Sequence, residues 1–247
     1  MGTIGHCPNL SMASFLSNFF RRHHKRRQRP SGGCGKEMAE ANNMNIDEGH
    51  LGGYIRASET PAPSGLRVEH GDPATYSPLL WSWVHDHLQV RSVLDVGCGE
   101  GHGAAFFESL GCDVHGIDGS LQAKRDSVIP DKQLVHDYTK GPYAPEQDYD
   151  LVWSCEFVEH VEEKYLDHFL QTFRAARKYL MLTYAEPGQE GWHHVNCQPA
   201  AYWIEVMAGI GFDYDKGLTR ASRAIAEPGH YRDRGLLFRR SATPHTQ

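Results

Sequence analysis

The feature that most constrains this chain is the run Asp95-Val96-Gly97-Cys98-Gly99-Glu100-Gly101-His102-Gly103, where glycines alternate with other residues directly after the apolar stretch 92–96. A buried strand that runs into alternating glycines has to turn sharply, and a turn without Cβ atoms leaves its backbone open to a ligand lying over it. Ligands of open α/β sheets settle outside the carboxyl ends of the strands, and this is such an end. Residues 103–110 then carry a helical pattern that stops at Gly111, which completes a strand–loop–helix unit. The loop therefore reads as a cradle for an adenosine-containing cofactor.

The same alternation continues on both sides of the loop. Ser77 and Pro78 open a helix with Leu80, Trp83, Val84 and His87 at one-face spacing. Apolar strands are expected at 113–117, closing on Asp118, and at 133–136, 149–154 and 178–184, with a helix over 161–176 between the last two. Pro199 opens another helix, containing Tyr202, Trp203, Val206 and Met207. Two late strands follow, near 212–216 and 235–239, separated by a long loop. Strands alternating with helices need crossover connections. The expected fold class is α/β: a doubly wound, mostly parallel seven-stranded sheet whose last two strands form an antiparallel edge.

Charge is distributed unevenly. Residues 1–36 contain Arg21, Arg22, Lys25, Arg26, Arg27, Arg29 and Lys36 and no acid; of the totals of 25 basic and 31 acidic residues, 18 basic and all 31 acidic ones therefore fall in the remainder. Residues 1–50 lack sustained periodicity and are expected to be a poorly ordered basic arm, followed by one domain over 51–240 and a short tail over 241–247. An acidic body has no electrostatic footprint for nucleic acid, so nucleic acid is the disfavoured partner and would depend on the arm. No apolar run approaches the ~20 residues that span a bilayer. Six cysteines without a C-x-x-C pair suggest neither a zinc ribbon nor a redox pair, and they suit a reducing, cytoplasmic setting. Nothing in the sequence indicates an oligomeric state.

Gly99-x-Gly101-x-x-Ala104 also satisfies the dinucleotide pattern, so glycines alone do not choose the cofactor. Asp95 does: a carboxylate facing the loop repels a pyrophosphate and suits a cationic amino-acid group. Asp95-x-Gly97-x-Gly99-x-Gly101 closely resembles the first motif of class I S-adenosylmethionine-dependent methyltransferases, and the likeness extends in register over residues 76–184. The resemblance implies a Rossmann-like methyltransferase fold, S-adenosyl-L-methionine as cofactor, and methyl transfer. It implies that Asp95, Gly97, Cys98, Gly99 and Gly101 surround the methionine moiety. Asp118, with Gly119 behind it, stands where the family holds the ribose hydroxyls. Asp137 and Tyr138 stand where it holds the adenine, and Ser154 ends the strand that faces the reactive methyl.

Glu156-Phe157-Val158-Glu159-His160 follows that strand, and on a helix the two glutamates and the histidine would share one face. The segment resembles one found in ubiquinone-pathway O-methyltransferases and in small-RNA 2′-O-methyltransferases, both of which use it to hold a divalent cation such as Mg2+. The second group adds a later histidine, for which His194 in the run Gly191–Pro199 is the counterpart. This resemblance implies Glu156, Glu159, His160 and His194 as a metal set, while family members without metal use the same pair to cap a helix; both options stay open. His193, His194 and His160 are the candidates for taking a proton from the acceptor. Trp192, Tyr202 and Trp203 are candidates for its walls. The expected activity is O-methylation of a small-molecule or sugar hydroxyl by in-line transfer. Metal-assisted RNA 2′-O-methylation and a non-catalytic cofactor-binding subunit are the alternatives.

Overall fold

Strands β1 (Ser92–Val96), β2 (Asp113–Asp118), β3 (Gln133–Val135), β4 (Tyr149–Ser154), β5 (Ala176–Leu182), β6 (Phe212–Tyr214) and β7 (Leu236–Arg240) form a single sheet in the order β3-β2-β1-β4-β5-β7-β6. Around it lie helices α1 (Pro78–His87), α2 (His102–Ser109), α3 (Leu121–Asp126), α4 (Leu166–Phe173), α5 (Ala200–Gly209), α6 (Lys216–Ile225) and α7 (His230–Arg234). The computed structural model describes residues 71–242, so the basic arm expected over 1–50 lies outside the described residues. No helix among those described is long and apolar enough to cross a membrane.

Strands β1 to β5 pair in parallel, and β7 runs antiparallel to both β5 and β6. The expected antiparallel edge is present, with β7 as its reversed strand and β6 outermost. The central strands are buried along nearly their whole length, as parallel strands covered on both faces must be. Leu94, Val96, Val152, Phe169, Phe173, Leu180 and Trp203 belong to one apolar cluster. Strand order reverses between β1 and β4, and there the register sets Asp95 beside Gly116 of β2 and Trp153 of β4. A crevice opens at the carboxyl ends of strands at such a switch point.

Several expected elements take a different form. The helix expected over 161–176 is confined to α4, because Glu162, Glu163 and Lys164 offer no apolar stripe and the chain makes 3-10 turns at Val158–His160 and Glu163–Tyr165 instead. Strand β5 begins two residues earlier than expected: Ala176 pairs with Tyr149, and the Arg177 and Lys178 side chains reach the buried Asp150 carboxylate. The long loop between the late strands is α6 and α7. Helix α6 buries Thr219 and Ser222, whose hydroxyls bond the Leu237 backbone and the Tyr231 hydroxyl, and sets Leu218, Ala221 and Ile225, half-buried, at helical spacing beside them. In α1 the buried face is Leu80, Trp81 and Val84, while Trp83 and His87 stack on each other outside it. Ser77 does not cap α1; its hydroxyl donates to Glu227 Oε2 at 2.6 Å.

Candidate functional site

The glycine loop is fastened to β2. Gly97 N and Cys98 N both donate to the Ile117 carbonyl, at 2.8 and 3.1 Å. Asp118 ends β2 and its carboxylate accepts from Gly99 N at 2.7 Å and from Ser120 N at 2.8 Å. Gly97 and Gly101 have φ of 77° and 81°, a conformation that L side chains rarely adopt. A Cβ on Gly97 would lie 2.8 Å from Phe157 Cβ, and one on Gly101 would lie 2.5 Å from Ile129 Cγ1. Glycine at 97 thus allows the cavity wall to close, whereas glycine at 101 serves packing outside the cavity.

The loop forms the floor of a cavity with about 1260 Å³ between its walls, counted out to its open mouth. Asp72, Asp95, Glu100, Asp118, Asp137, Glu156 and Glu162 line it together with Tyr76, Trp81, Tyr138, Trp153 and Phe157. Among the described lining residues there is no Lys or Arg. Asp95 is 4% exposed. Its burial, reinforced by the charge of Asp118 and opposed by a hydrogen bond from Ala104 N, raises its pKa from 3.8 to about 7. Asp137 caps the 3-10 turn Tyr138–Lys140 by accepting from Thr139 N at 2.8 Å, and the Tyr138 hydroxyl donates to Thr172 Oγ1 at 2.9 Å. A cavity with this wall charge attracts a cation and repels a pyrophosphate.

Beyond β4 the chain does not form the helix on which two glutamates and a histidine would share a face. Glu156 has φ of 52° and is pinned from both sides. The Thr183 hydroxyl accepts from Glu156 N at 2.7 Å and donates to Oε1 at 2.9 Å, while His230 Nδ1 lies 3.3 Å from Oε2. His230 Nε2 in turn lies 2.9 Å from Asp72 Oδ2. Glu159, three residues on, is completely buried; its carboxylate oxygens make no well-formed hydrogen bond, and the polar groups that act on them are the Glu156 side chain and the backbone N–H groups of Phe157 and Glu159. Burial first, and the Glu156 carboxylate second, push its pKa well above the usual range.

Ligand atoms of Glu159, His160 and His194 all lie within 4.8 Å of one another. His160 Nδ1 sits 3.2 Å from the His193 carbonyl and His194 Nδ1 sits 3.3 Å from the Gln189 carbonyl. A carbonyl only accepts, so both Nδ1 atoms carry the proton and both Nε2 atoms keep a lone pair. Burial, followed by the neighbouring His194, lowers the His160 pKa to about 4. Gly191 makes room for this arrangement, since a Cβ there would lie 2.2 Å from the His194 ring.

Residues 61–216 match the profile of the Methyltransferase domain family. The chain belongs to that family. The ubiquinone biosynthesis O-methyltransferase of Paraburkholderia xenovorans is 34% identical over 97 residues, which are 35% of this chain and 41% of that protein. Its counterpart in Bordetella avium is 32% identical over 139 residues, 49% and 54% of the two chains. The chain thus matches 41% and 54% of the lengths of these curated relatives. Among solved structures, a TehB-like S-adenosylmethionine-dependent methyltransferase from Corynebacterium glutamicum aligns with a TM-score of 0.50 at 18% identity, over 66% of this chain and 88% of that one. The sugar N-methyltransferase KedS8 from Streptoalloteichus aligns with a TM-score of 0.50 at 13% identity, over 66% and 87%. At these identities the likeness is one of fold.

Within this methyltransferase domain the cavity is lined by Asp95, Gly97, Cys98, Gly99, Asp118, Gly119, Asp137, Tyr138, Glu156, His160 and His193 of the residues singled out from sequence. Gly101 lies outside the lining, against Ile129. Ser154 is also outside it, with its hydroxyl donating to the Val96 carbonyl at 2.9 Å and tying β4 to β1. Glu159 and His194 sit behind the wall that His160 shares. Trp203 is wholly buried in the core, the Tyr202 hydroxyl donates to Glu163, and Trp192 is 79% exposed, so none of the three walls the cavity. Sequence reasoning missed Trp81, Trp153, Asp72 and His230. Trp81 was within reach, because Trp81, Val84 and Leu88 keep helical spacing on the face that is buried. Asp72 and His230 carry no local signal, being 158 residues apart in the chain.

Proposed function

We propose that the chain transfers the methyl group of S-adenosyl-L-methionine to a hydroxyl of a small molecule or sugar. The observation that carries this reading is the cavity at the carboxyl ends of β1, β2 and β4, walled by carboxylates and, among its described lining residues, without Lys or Arg. S-Adenosylmethionine fits that wall, since its sulfonium and ammonium outweigh its one carboxylate. Asp118 would take the ribose hydroxyls, Asp137 and Tyr138 the adenine, and Asp95 the ammonium. When bound, the cofactor supplies an electrophilic methyl on sulfur, and the protein's part is to align the acceptor and exclude water. His193 lines the cavity and is the residue to receive the acceptor's proton. The lowered basicity of His160 suits it to ligation rather than to proton transfer. The O-methyltransferase relatives support a hydroxyl acceptor. The four described cysteines are free thiols, which suits a reducing, cytoplasmic setting.

A second reading is metal-assisted transfer, and Glu159 favours it. Burial and the Glu156 charge hold this carboxyl neutral, so a cation bound beside it would displace its proton and take oxygens that have no well-formed hydrogen bond to give up. Two imidazole Nε2 lone pairs lie close by, and each ring is oriented through its Nδ1–H by a backbone carbonyl, as metal-ligating histidines commonly are. Glu159, His160 and His194 would hold the ion, with Glu156 engaged elsewhere. Two imidazoles and one carboxylate suit an ion such as Zn2+ better than Mg2+. Such an ion acts as a Lewis acid on an acceptor oxygen. RNA is the less favoured acceptor, because its phosphates would meet an acidic cavity mouth.

Calorimetry with S-adenosylmethionine and with NAD tests the cofactor, and preferential binding of NAD overturns it. Incubation with labelled S-adenosylmethionine and a panel of phenols, sugars and short RNAs, with and without divalent metal, tests the acceptor. Transfer to RNA alone overturns the small-molecule reading.

A further inference from the structure

We propose that residues 71–76 are a hinged strap over the cavity, held shut by a latch on Gly229 and His230, and that the strap opens to exchange the cofactor. The identity of the ligand rests on the S-adenosylmethionine reading above, and the strap itself rests on the geometry of the latch. Gly71, Asp72, Thr75 and Tyr76 line the cavity. Asp95, Trp81 and Trp153 line it too, yet they are only 4%, 2% and 3% exposed. Water scarcely reaches these three groups as the walls stand, so an amino-acid group bound for Asp95 needs a wall to move.

Most of the walls are fixed. The glycine loop is bonded to the Ile117 carbonyl by two backbone N–H groups, and Asp95 and Trp153 stand on the paired strands β1 and β4. The strap has no place in the sheet. Its regular structure is one 3-10 turn, Pro73–Thr75, in which Thr75 N donates to the Asp72 carbonyl and Tyr76 N to the Pro73 carbonyl. So short a turn does not persist alone and holds only while it lies against the body. The strap runs into α1 at Ser77, whose hydroxyl donates to Glu227 Oε2 at 2.6 Å, and Leu79 N donates to Glu227 Oε1 at 3.0 Å. Those bonds fix the pivot.

The latch lies beyond the pivot, where the chain enters α7. The Ala74 carbonyl sits so close to Gly229 that a Cβ there would lie 2.2 Å from its oxygen. Next to this contact His230 Nε2 lies 2.9 Å from Asp72 Oδ2, and its Nδ1 lies 3.3 Å from Glu156 Oε2. Ionised carboxylates only accept, so both ring nitrogens carry protons, and the imidazolium ties the strap to the residue that follows β4. Burial opposes that charge, but the hydrogen bond to Asp72 and the charges of Glu156 and Asp72 outweigh it together with the repulsion of Arg234, and the His230 pKa is raised. Contacts gathered at one point let a segment open while the rest of the fold stays closed. A latch made only of protein groups has the same strength with the cavity empty or filled, so it drops out of the Kd and governs both rates.

The test joins hydrogen exchange of the ligand-free protein to stopped-flow binding of S-adenosylmethionine and S-adenosylhomocysteine. Tryptophan fluorescence reports the binding, since Trp81 and Trp153 line the cavity and Tyr76 packs on Trp81 at 5.1 Å. Gly229→Ala leaves every wall charge in place and pushes the Ala74 carbonyl away. In it the Thr75 and Tyr76 amides should exchange about tenfold faster or more, the scale of one lost hydrogen bond to a charged group. Both ligands should associate and dissociate faster by one common factor, with Kd unchanged. Asp72→Asn keeps an oxygen for Ala74 N and loses the ion pair with His230, and it should show the same rise in exchange if Gly229→Ala does not fold. Exchange as slow as in the wild type overturns the strap. Dissociation that quickens in Gly229→Ala while association does not also overturns it, because the loss then falls on the bound state alone. Failure of the wild type to bind either ligand overturns the cofactor reading, and the exchange rates then decide the strap by themselves.

Discussion

Replacing Asp95 by Asn should change how both stability and cofactor affinity depend on pH. The carboxyl sits at the end of β1 beneath the glycine loop, 4% exposed, with Asp118 as a nearby like charge and Ala104 N–H as a hydrogen-bond donor. Its pKa is about 7 in the fold against 3.8 in an open chain. Below pH 3.8 the group is protonated in both states and costs nothing. Between the two values the unfolded chain has released its proton while the fold retains it, so stability falls as pH rises, by about 1.36 kcal/mol for each pH unit. The decline amounts to roughly 4 kcal/mol by pH 7 and levels off above it. Asn keeps an oxygen for Ala104 N–H and does not ionise, so urea unfolding of Asp95→Asn between pH 4 and 8 should lack this component of the slope. Cofactor binding should run the other way. An ammonium beside Asp95 favours its ionised form, so wild-type affinity should rise from pH 5 to 7 with release of a proton, measurable by calorimetry in buffers of different ionisation enthalpy. The variant should bind more weakly at pH 8 and without that proton. Identical pH slopes in wild type and variant, in stability and in proton release, would refute the argument.

Asp118→Ala removes the acceptor of two backbone N–H groups and of the proposed ribose contacts; S-adenosylmethionine affinity should drop by ~1–3 kcal/mol in calorimetry, and an unchanged value would remove Asp118 from the site. Ser154→Ala should cost about 1 kcal/mol in urea unfolding with no change in cofactor affinity, because its hydroxyl serves the Val96 carbonyl; weakened cofactor binding would contradict this. Zn2+ at about a hundred times its Kd should stabilise the wild type by ~2.7 kcal/mol in thermal unfolding and leave Glu159→Gln unaffected, whereas equal stabilisation of the two proteins rules out the Glu159 site. Gly191→Ala should abolish the same metal response in a folded protein, since the added Cβ would displace the His194 ring; a wild-type response in that variant would exclude His194 as a ligand.

What the sequence determined by itself is local. The turn at residues 97–103 is legible because alternating glycines after a buried strand permit few conformations, and the β1, β2 and β4 runs are legible because each carries a short cluster of Val, Leu, Ile or Trp bounded by turn residues, as strands that face a core do. Asp118 is readable as the acidic residue that closes β2 directly after Ile117. The α6–α7 segment is less so, because Leu218, Ala221 and Ile225 are its few apolar residues and its most buried positions are Thr219 and Ser222, which are closed by hydrogen bonds to residues of β7 and α7. The metal-set residues show the boundary most clearly. Their order along the chain suggested one helical face, but Glu156 turns at positive φ, its carboxylate is held by Thr183 from the end of β5 and by His230 from α7, and Glu159 is left buried beside His160 and His194. Those partners are distant in sequence and meet through the strand order β1-β4-β5-β7, which no local pattern encodes. Burial and neighbouring charge set the pKa of Asp95, Glu159 and His160, and both quantities exist only once the crossovers have brought the strand ends together.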